Sequence, residues 1–134
     1  MENFLLIGGA GYVGSILTKY LLDKKMKVQI IDNFMYKNDF AIKGFLKNSK
    51  FQLIKGDYTD ANLINNLKSN IDHVIFLGGL VGDPVTNKYP ELAKKINDTG
   101  IINCINLLER KKIKNFIFIS TCSNYGLIKD EEKA

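Results

Sequence analysis

The stretch that decides the fold is "FLLIGGAGYVGS", Phe4 to Ser15. An apolar run of strand length passes straight into Gly8, Gly11 and Gly14, spaced G-x-x-G-x-x-G. A chain leaving a strand into a tight turn needs one residue free to take positive φ, here Gly8 or Gly9. Gly11 carries no side chain to keep a phosphate from the N–H groups at a helix N-terminus. Gly14 lets the helix pack closely on the strand. Val13, Ile16, Leu17, Tyr20 and Leu21 recur at helical spacing after the turn and predict an amphipathic helix with that stripe as its buried face.

Working outward, apolar runs recur at "KVQIID" (27–32), "FQLIKGD" (51–57), "HVIFLGG" (73–79) and "NFIFIST" (115–121). Near-continuous Val, Ile, Leu and Phe is the pattern of strands covered on both faces. Helical periods lie between them, with Leu63, Ile64 and Leu67 in one and Ile101, Ile105 and Leu108 in another. Strand–helix alternation of this kind predicts an α/β fold: a doubly wound parallel sheet in the order 3-2-1-4-5, with the chain ending soon after strand five. The expected division is a dinucleotide-binding domain over 1–127 and a polar tail over 128–134. Asp32 closes the second strand, 18 residues past Gly14, where an acid can accept hydrogen bonds from both hydroxyls of an adenosine ribose. Its charge repels a 2′-phosphate, which favours NAD over NADP. Asp57 follows the third strand and faces the same ligand crevice, while Asp60 is better placed to cap the next helix.

Composition narrows the function. The 134 residues are 46% hydrophobic and 25% charged, the balance of an ordinary globular domain. No apolar run approaches a membrane span, and the N-terminus lacks the charge pattern of a signal peptide, so a cytoplasmic protein without membrane association is expected. The net charge is +5, but the lysines are scattered and Arg110 is the only arginine, which argues against a nucleic-acid partner. Cys104 and Cys122 read as buried free thiols. A single histidine, His73, excludes a multi-histidine metal site; it is expected to be exposed and structural, and no metal site is expected.

These residues resemble the extended short-chain dehydrogenase/reductase family, specifically its NAD-dependent sugar-nucleotide epimerases and dehydratases. "GGAGYVGS" is similar to that family's cofactor turn, "IDNF" to its Asp-Asn after strand two, and "GDYTD" to its Gly-Asp-x-x-Asp. "NDTGIIN" is similar to its Asn-x-x-Gly-Thr-x-Asn helix, and "ISTCSNYG" to the segment after strand five. The likeness covers the whole chain but only the first part of the family's length. It implies NAD as cofactor, held by Gly8, Gly11, Tyr12, Val13 and Gly14 of the turn and by Asp32 and Asn33. Asp57, beside Tyr58, would meet the adenine amino group. Leu77, Gly78 and Gly79 would pass beneath the nicotinamide ribose, with Asn97 behind them. Gly78 and Gly79 stand where the family usually has Ala-Ala, and Asn124 where it has valine.

The resemblance also implies a nucleotide-sugar substrate and a 4-keto intermediate. Thr121 would hydrogen-bond the sugar's reacting oxygen, and Ser123 would lie at the substrate. Dehydratases carry an acidic pair directly after the threonine; Cys122 and Ser123 stand there instead, which favours epimerase or reductase chemistry. Tyr125 and Lys129 spell Tyr-x-x-x-Lys, but Tyr125 is only four residues past Thr121 and is followed by Gly126, a poor helix starter. The family's catalytic Tyr-x-x-x-Lys helix is therefore expected beyond this chain. The competing reading is a non-catalytic dinucleotide-binding module. Association is also expected, as a homo-oligomer or through an open apolar edge at "FIFI" (116–119).

Overall fold

The computed structural model describes residues 2–67, 70–80 and 82–121. The five apolar runs become β1 (Asn3–Ile7), β2 (Lys27–Asp32), β3 (Phe51–Lys55), β4 (His73–Phe76) and β5 (Asn115–Phe118). All pair in parallel, in the order β3-β2-β1-β4-β5. Helix α1 (Tyr12–Asp23) joins β1 to β2, and a 3₁₀ segment (Asp39–Phe45) precedes β3. Helix α2 (Ala61–Asn65) leads to β4, which is followed by α3 (Asp83–Lys88), α4 (Pro90–Lys94) and α5 (Ile101–Glu109). A π-helical turn, Lys95–Gly100, connects α4 to α5.

Side-chain alternation along the strands divides the core. Leu5, Ile7, Ile31, Val74 and Phe76 point to the face covered by α2 and α5, where Ile64, Cys104 and Leu108 meet them. Leu6, Val28, Ile30 and Ile75 point to the other face, under Leu21 and Leu22 of α1 and Ile42 of the 3₁₀ segment. Asp60 caps α2 as expected, accepting from the Asn62 N–H at 2.9 Å. Cys104 is a buried free thiol, its pKa pushed up to about 12 by burial. Cys122 lies outside the described residues.

Two expectations are corrected. The buried face of α1 is Gly14, Thr18, Leu21 and Leu22, whereas Val13, Ile16 and Tyr20 are each more than half exposed. The helix is seated by its smallest residue: a Cβ on Gly14 would stand 2.6 Å from the Gly9 carbonyl oxygen. That close approach rotates the bulky stripe outward. His73 is buried, not exposed. Its ring stacks on Phe4 at 4.6 Å, its Nδ1 lies 3.0 Å from the Asn115 amide nitrogen and its Nε2 lies 3.3 Å from Glu2. Neighbouring strands on both sides enclose the first residue of β4, which an apolar pattern along one strand cannot show.

At the far edge, Phe116, Ile117, Phe118 and Ile119 are all exposed, as expected of an open apolar strand. Among the described residues no helix is long and apolar enough to cross a membrane.

Candidate cofactor-binding site

The order of the sheet reverses between β1 and β4, so the chain leaves those two strands in opposite directions and opens a crevice at their carboxyl ends. A cavity of about 350 Å³ lies there. It collects Gly8, Gly11 and Tyr12 after β1, Asp32 and Asn33 after β2, Asp57 and Tyr58 after β3, and Leu77, Gly78 and Gly79 after β4. Residues from four separate strand ends, 71 positions apart at the extremes (Gly8 to Gly79), thus share one surface.

The glycines have distinct reasons. Gly8 is the one with positive φ, +77°, and a Cβ there would lie 2.7 Å from the Gly78 Cα. Backbone therefore meets backbone where β1 and β4 end. Gly11 has ordinary φ (−66°), and a Cβ on it would meet only the Gly8 carbonyl oxygen, at 3.4 Å. It starts α1 by accepting from the Ser15 N–H at 2.9 Å, which leaves the first-turn N–H groups of Tyr12, Val13 and Gly14 without intrahelical acceptors. Such a turn suits a pyrophosphate. At Gly78 a Cβ would come within 2.9 Å of the Tyr58 ring. Gly78 thus makes room for Tyr58, whose hydroxyl donates to the Ile96 carbonyl at 2.9 Å. Burial drives the Tyr58 phenol well above its ordinary pKa, with the nearby Asp57 charge adding to the effect.

The two carboxylates are oriented by backbone. Asp32 Oδ2 accepts from the Ala10 N–H at 2.9 Å and Oδ1 from the Phe34 N–H at 2.8 Å. Each oxygen keeps a further lone pair, enough for the two hydroxyls of a ribose. Asp57 accepts from the Thr59 N–H at 2.8 Å and the Asn33 amide at 3.1 Å. Burial raises the Asp57 pKa, but the Thr59 and Asn33 hydrogen bonds and the Lys95 charge outweigh it and hold the carboxyl below its usual value.

Three residues assigned to the cofactor do not line the cavity. Val13 is on the outer side of α1, and Gly14 is buried against Gly9. Asn97 spends its amide on the β4 exit loop, accepting from the Leu80 N–H and donating to the Leu80 carbonyl, both at 2.7 Å. Thr121 is exposed, three residues beyond β5 at the carboxyl end of the sheet. Ser123, with Tyr125 and Lys129, lies outside the described residues. Sequence reasoning missed Met35, Tyr36 and Asn38 in the lining, and also Ile31, Gly56, Leu80 and Ile96. The only signal for the first three was their place directly after the Asp32-Asn33 pair.

A glycine turn on a parallel sheet, a ribose-ready acid ending β2 and a second acid at β3 define a dinucleotide-binding Rossmann domain. The model of the NAD dependent epimerase/dehydratase family matches residues 4–134. The chain belongs to that family, whose cofactor is NAD. It is 33% identical to a dTDP-D-glucose 4,6-dehydratase from Dictyostelium discoideum over 98% of this chain and 32% of that protein. It is 32% identical to a UDP-glucose 4-epimerase from Schizosaccharomyces pombe, over 91% of this chain and 36% of that one. Among solved structures it is similar to a UDP-glucuronic acid 4-epimerase from Bacillus cereus in complex with UDP-glucuronic acid and NAD. That match has a TM-score of 0.83 and 26% identity, covering 96% of this chain and 44% of the other. The chain therefore spans about a third of the length of these curated relatives.

Proposed function

We propose that this chain is the NAD-binding portion of a nucleotide-sugar 4-epimerase-like enzyme. The observation that carries the reading is the convergence of Gly11, Asp32 and Asp57 on one crevice, each with its ligand-facing capacity still open. Asp32 accepts from the two adenosine ribose hydroxyls, and Asp57 receives the adenine amino group. The N–H groups of Tyr12 and Val13 take the pyrophosphate, although the Val13 side chain points elsewhere. Leu77, Gly78 and Gly79 support the nicotinamide ribose. Asn97 acts at one remove, by fixing the loop that carries them.

NAD supplies a hydride acceptor, so a sugar alcohol beside it can be oxidised to a ketone and reduced again from the other face. Thr121 is assigned to hydrogen-bond the reacting sugar oxygen and Ser123 to the substrate. Cys122 and Ser123 offer no carboxylic acid for elimination, which supports epimerisation over dehydration although a dehydratase is among the relatives. The test is a paired assay of the 134-residue chain, in which saturable NAD binding without interconversion of UDP-hexoses is expected. Turnover abolished by Tyr125→Phe would put the base on Tyr125 and overturn the assignment.

A further inference from the structure

The peptide units around Ala10 are held at both ends by the segment that follows β2. Asp32 accepts from the Ala10 N–H at 2.9 Å, and 28 residues along the chain from Ala10 the Asn38 Nδ2 donates to the Ala10 carbonyl at 2.7 Å. Ala10 itself is 1% exposed. The carbonyl that Asn38 grips belongs to the Ala10–Gly11 peptide, and the N–H of that same unit is the Gly11 amide. The orientation of that plane sets how the following first-turn N–H groups face the crevice.

The loop between the two anchors is shaped to bring Asn38 back. Phe34 (φ +57°) and Lys37 (φ +54°) both take the left-handed region, and the Lys37 N–H closes a turn on the Phe34 carbonyl at 2.9 Å. Two non-glycine residues held there in one short loop mark strain that the surroundings must sustain.

Asn38 also carries a second feature. Its Oδ1 is buried with no hydrogen-bond partner among the described residues. Turning the amide over would set that oxygen against the Ala10 oxygen, so the donor must face Ala10. An unmet buried acceptor costs on the scale of the bond made at the other end of the same amide. The pair therefore contributes little net stability, and stability is a poor reason for Asn38.

We propose that Asn38 is a positioning residue for the pyrophosphate of the dinucleotide: it fixes the Ala10–Gly11 peptide so that the start of α1 presents its N–H groups to the phosphates. This rests on the NAD-binding reading above.

The test titrates wild type, Asn38→Ala and Asn38→Asp with NAD, ADP and adenosine by NMR chemical shift, which also reads weak binding, alongside thermal midpoints. Asn38→Ala is expected to bind NAD and ADP roughly tenfold more weakly, the factor for losing one orienting hydrogen bond. Adenosine binding should stay within about twofold, because adenosine has no phosphate to misalign. Asn38→Asp should also lose NAD and ADP, since a carboxylate cannot donate to the Ala10 oxygen. The Asn38→Ala midpoint should move by no more than a few degrees, whereas Asn38→Asp, which sets a carboxylate against the Ala10 carbonyl, should lose more.

Unchanged NAD affinity in Asn38→Ala overturns the proposal, as does an equal loss of adenosine, which would make Asn38 an adenosine contact. Failure of Asn38→Ala to fold overturns it too, because stability would then be the role. Wild type that binds no NAD refutes the functional reading and takes this proposal with it; wild type that binds NAD beside an unaffected variant refutes this proposal alone.

Discussion

Replacing Gly8, Gly11 and Gly14 by alanine, one at a time, separates the glycines that build the turn from the one kept bare for a ligand. At Gly8 the new methyl would sit 2.7 Å from the Gly78 Cα and N, with φ at +77°. The left-handed conformation costs about 1–2 kcal/mol and the overpacking about 1–3 kcal/mol, so about 2–5 kcal/mol should be lost. Nothing there can rotate away, since both neighbours are backbone. At Gly14 the methyl meets the Gly9 backbone at 2.6 Å, and the overpacking is offset by about 1 kcal/mol of helix propensity. A net loss of up to about 2 kcal/mol follows. At Gly11 the nearest atom is 3.4 Å away and φ is −66°. The reduced freedom of the unfolded chain and the poorer N-cap oppose each other, leaving stability within about 1 kcal/mol of wild type.

Urea denaturation gives the stability order, and thermal midpoints should follow it at about 3–5 °C per kcal/mol for a chain of this size. Calorimetric titration with NAD supplies the other axis. Gly11→Ala should remain folded and lose at least about tenfold in affinity, because its methyl stands on the pyrophosphate path. Gly8→Ala as stable as wild type, or Gly11→Ala with unchanged affinity, would refute the reasoning.

Two further outcomes are expected. The Asp57 pKa is depressed in the folded chain, so its contribution to stability is present above the unfolded carboxylate pKa, about 3.9, and is lost as pH falls through the lower folded value. Midpoints of wild type and Asp57→Asn should therefore converge as pH falls below about 4; a gap constant from neutral to acid pH contradicts this. The second concerns association through β5, proposed because Phe116, Ile117, Phe118 and Ile119 form an exposed apolar edge. Sedimentation should show self-association that Ile117→Lys reduces, and a wild type that stays monomeric at high concentration would remove the proposal.

The strand order was legible because five apolar runs alternate with helical periods, and parallel pairing with right-handed crossovers leaves few arrangements. The crevice was legible at Gly8, Asp32 and Asp57, since each of these positions ends or follows a strand and strand ends converge. What stayed hidden depends on contacts across the sheet. Gly14 seats α1 on Gly9, so the apolar period of Val13, Ile16 and Tyr20 misjudged which face is buried. His73 is enclosed by Phe4 and Asn115 on adjacent strands, neither near it in sequence. Asn97 fits the family pattern yet serves Leu80, and Asn38, outside any pattern, reaches Ala10. Local periodicity carries no information about which polar group a distant loop will meet.

The central claim is that the crevice at Asp32 binds NAD. Calorimetric titration of the chain with NAD and with NADP tests it most directly. A 2′-phosphate beside the Asp32 carboxylate meets like charge, and Arg110, the only arginine, lies at the end of α5, away from the crevice lining. The account predicts one saturable site for NAD and at least about tenfold weaker binding of NADP, a difference that Asp32→Ala narrows. No saturable binding of NAD, or NADP bound as tightly as NAD, would contradict it.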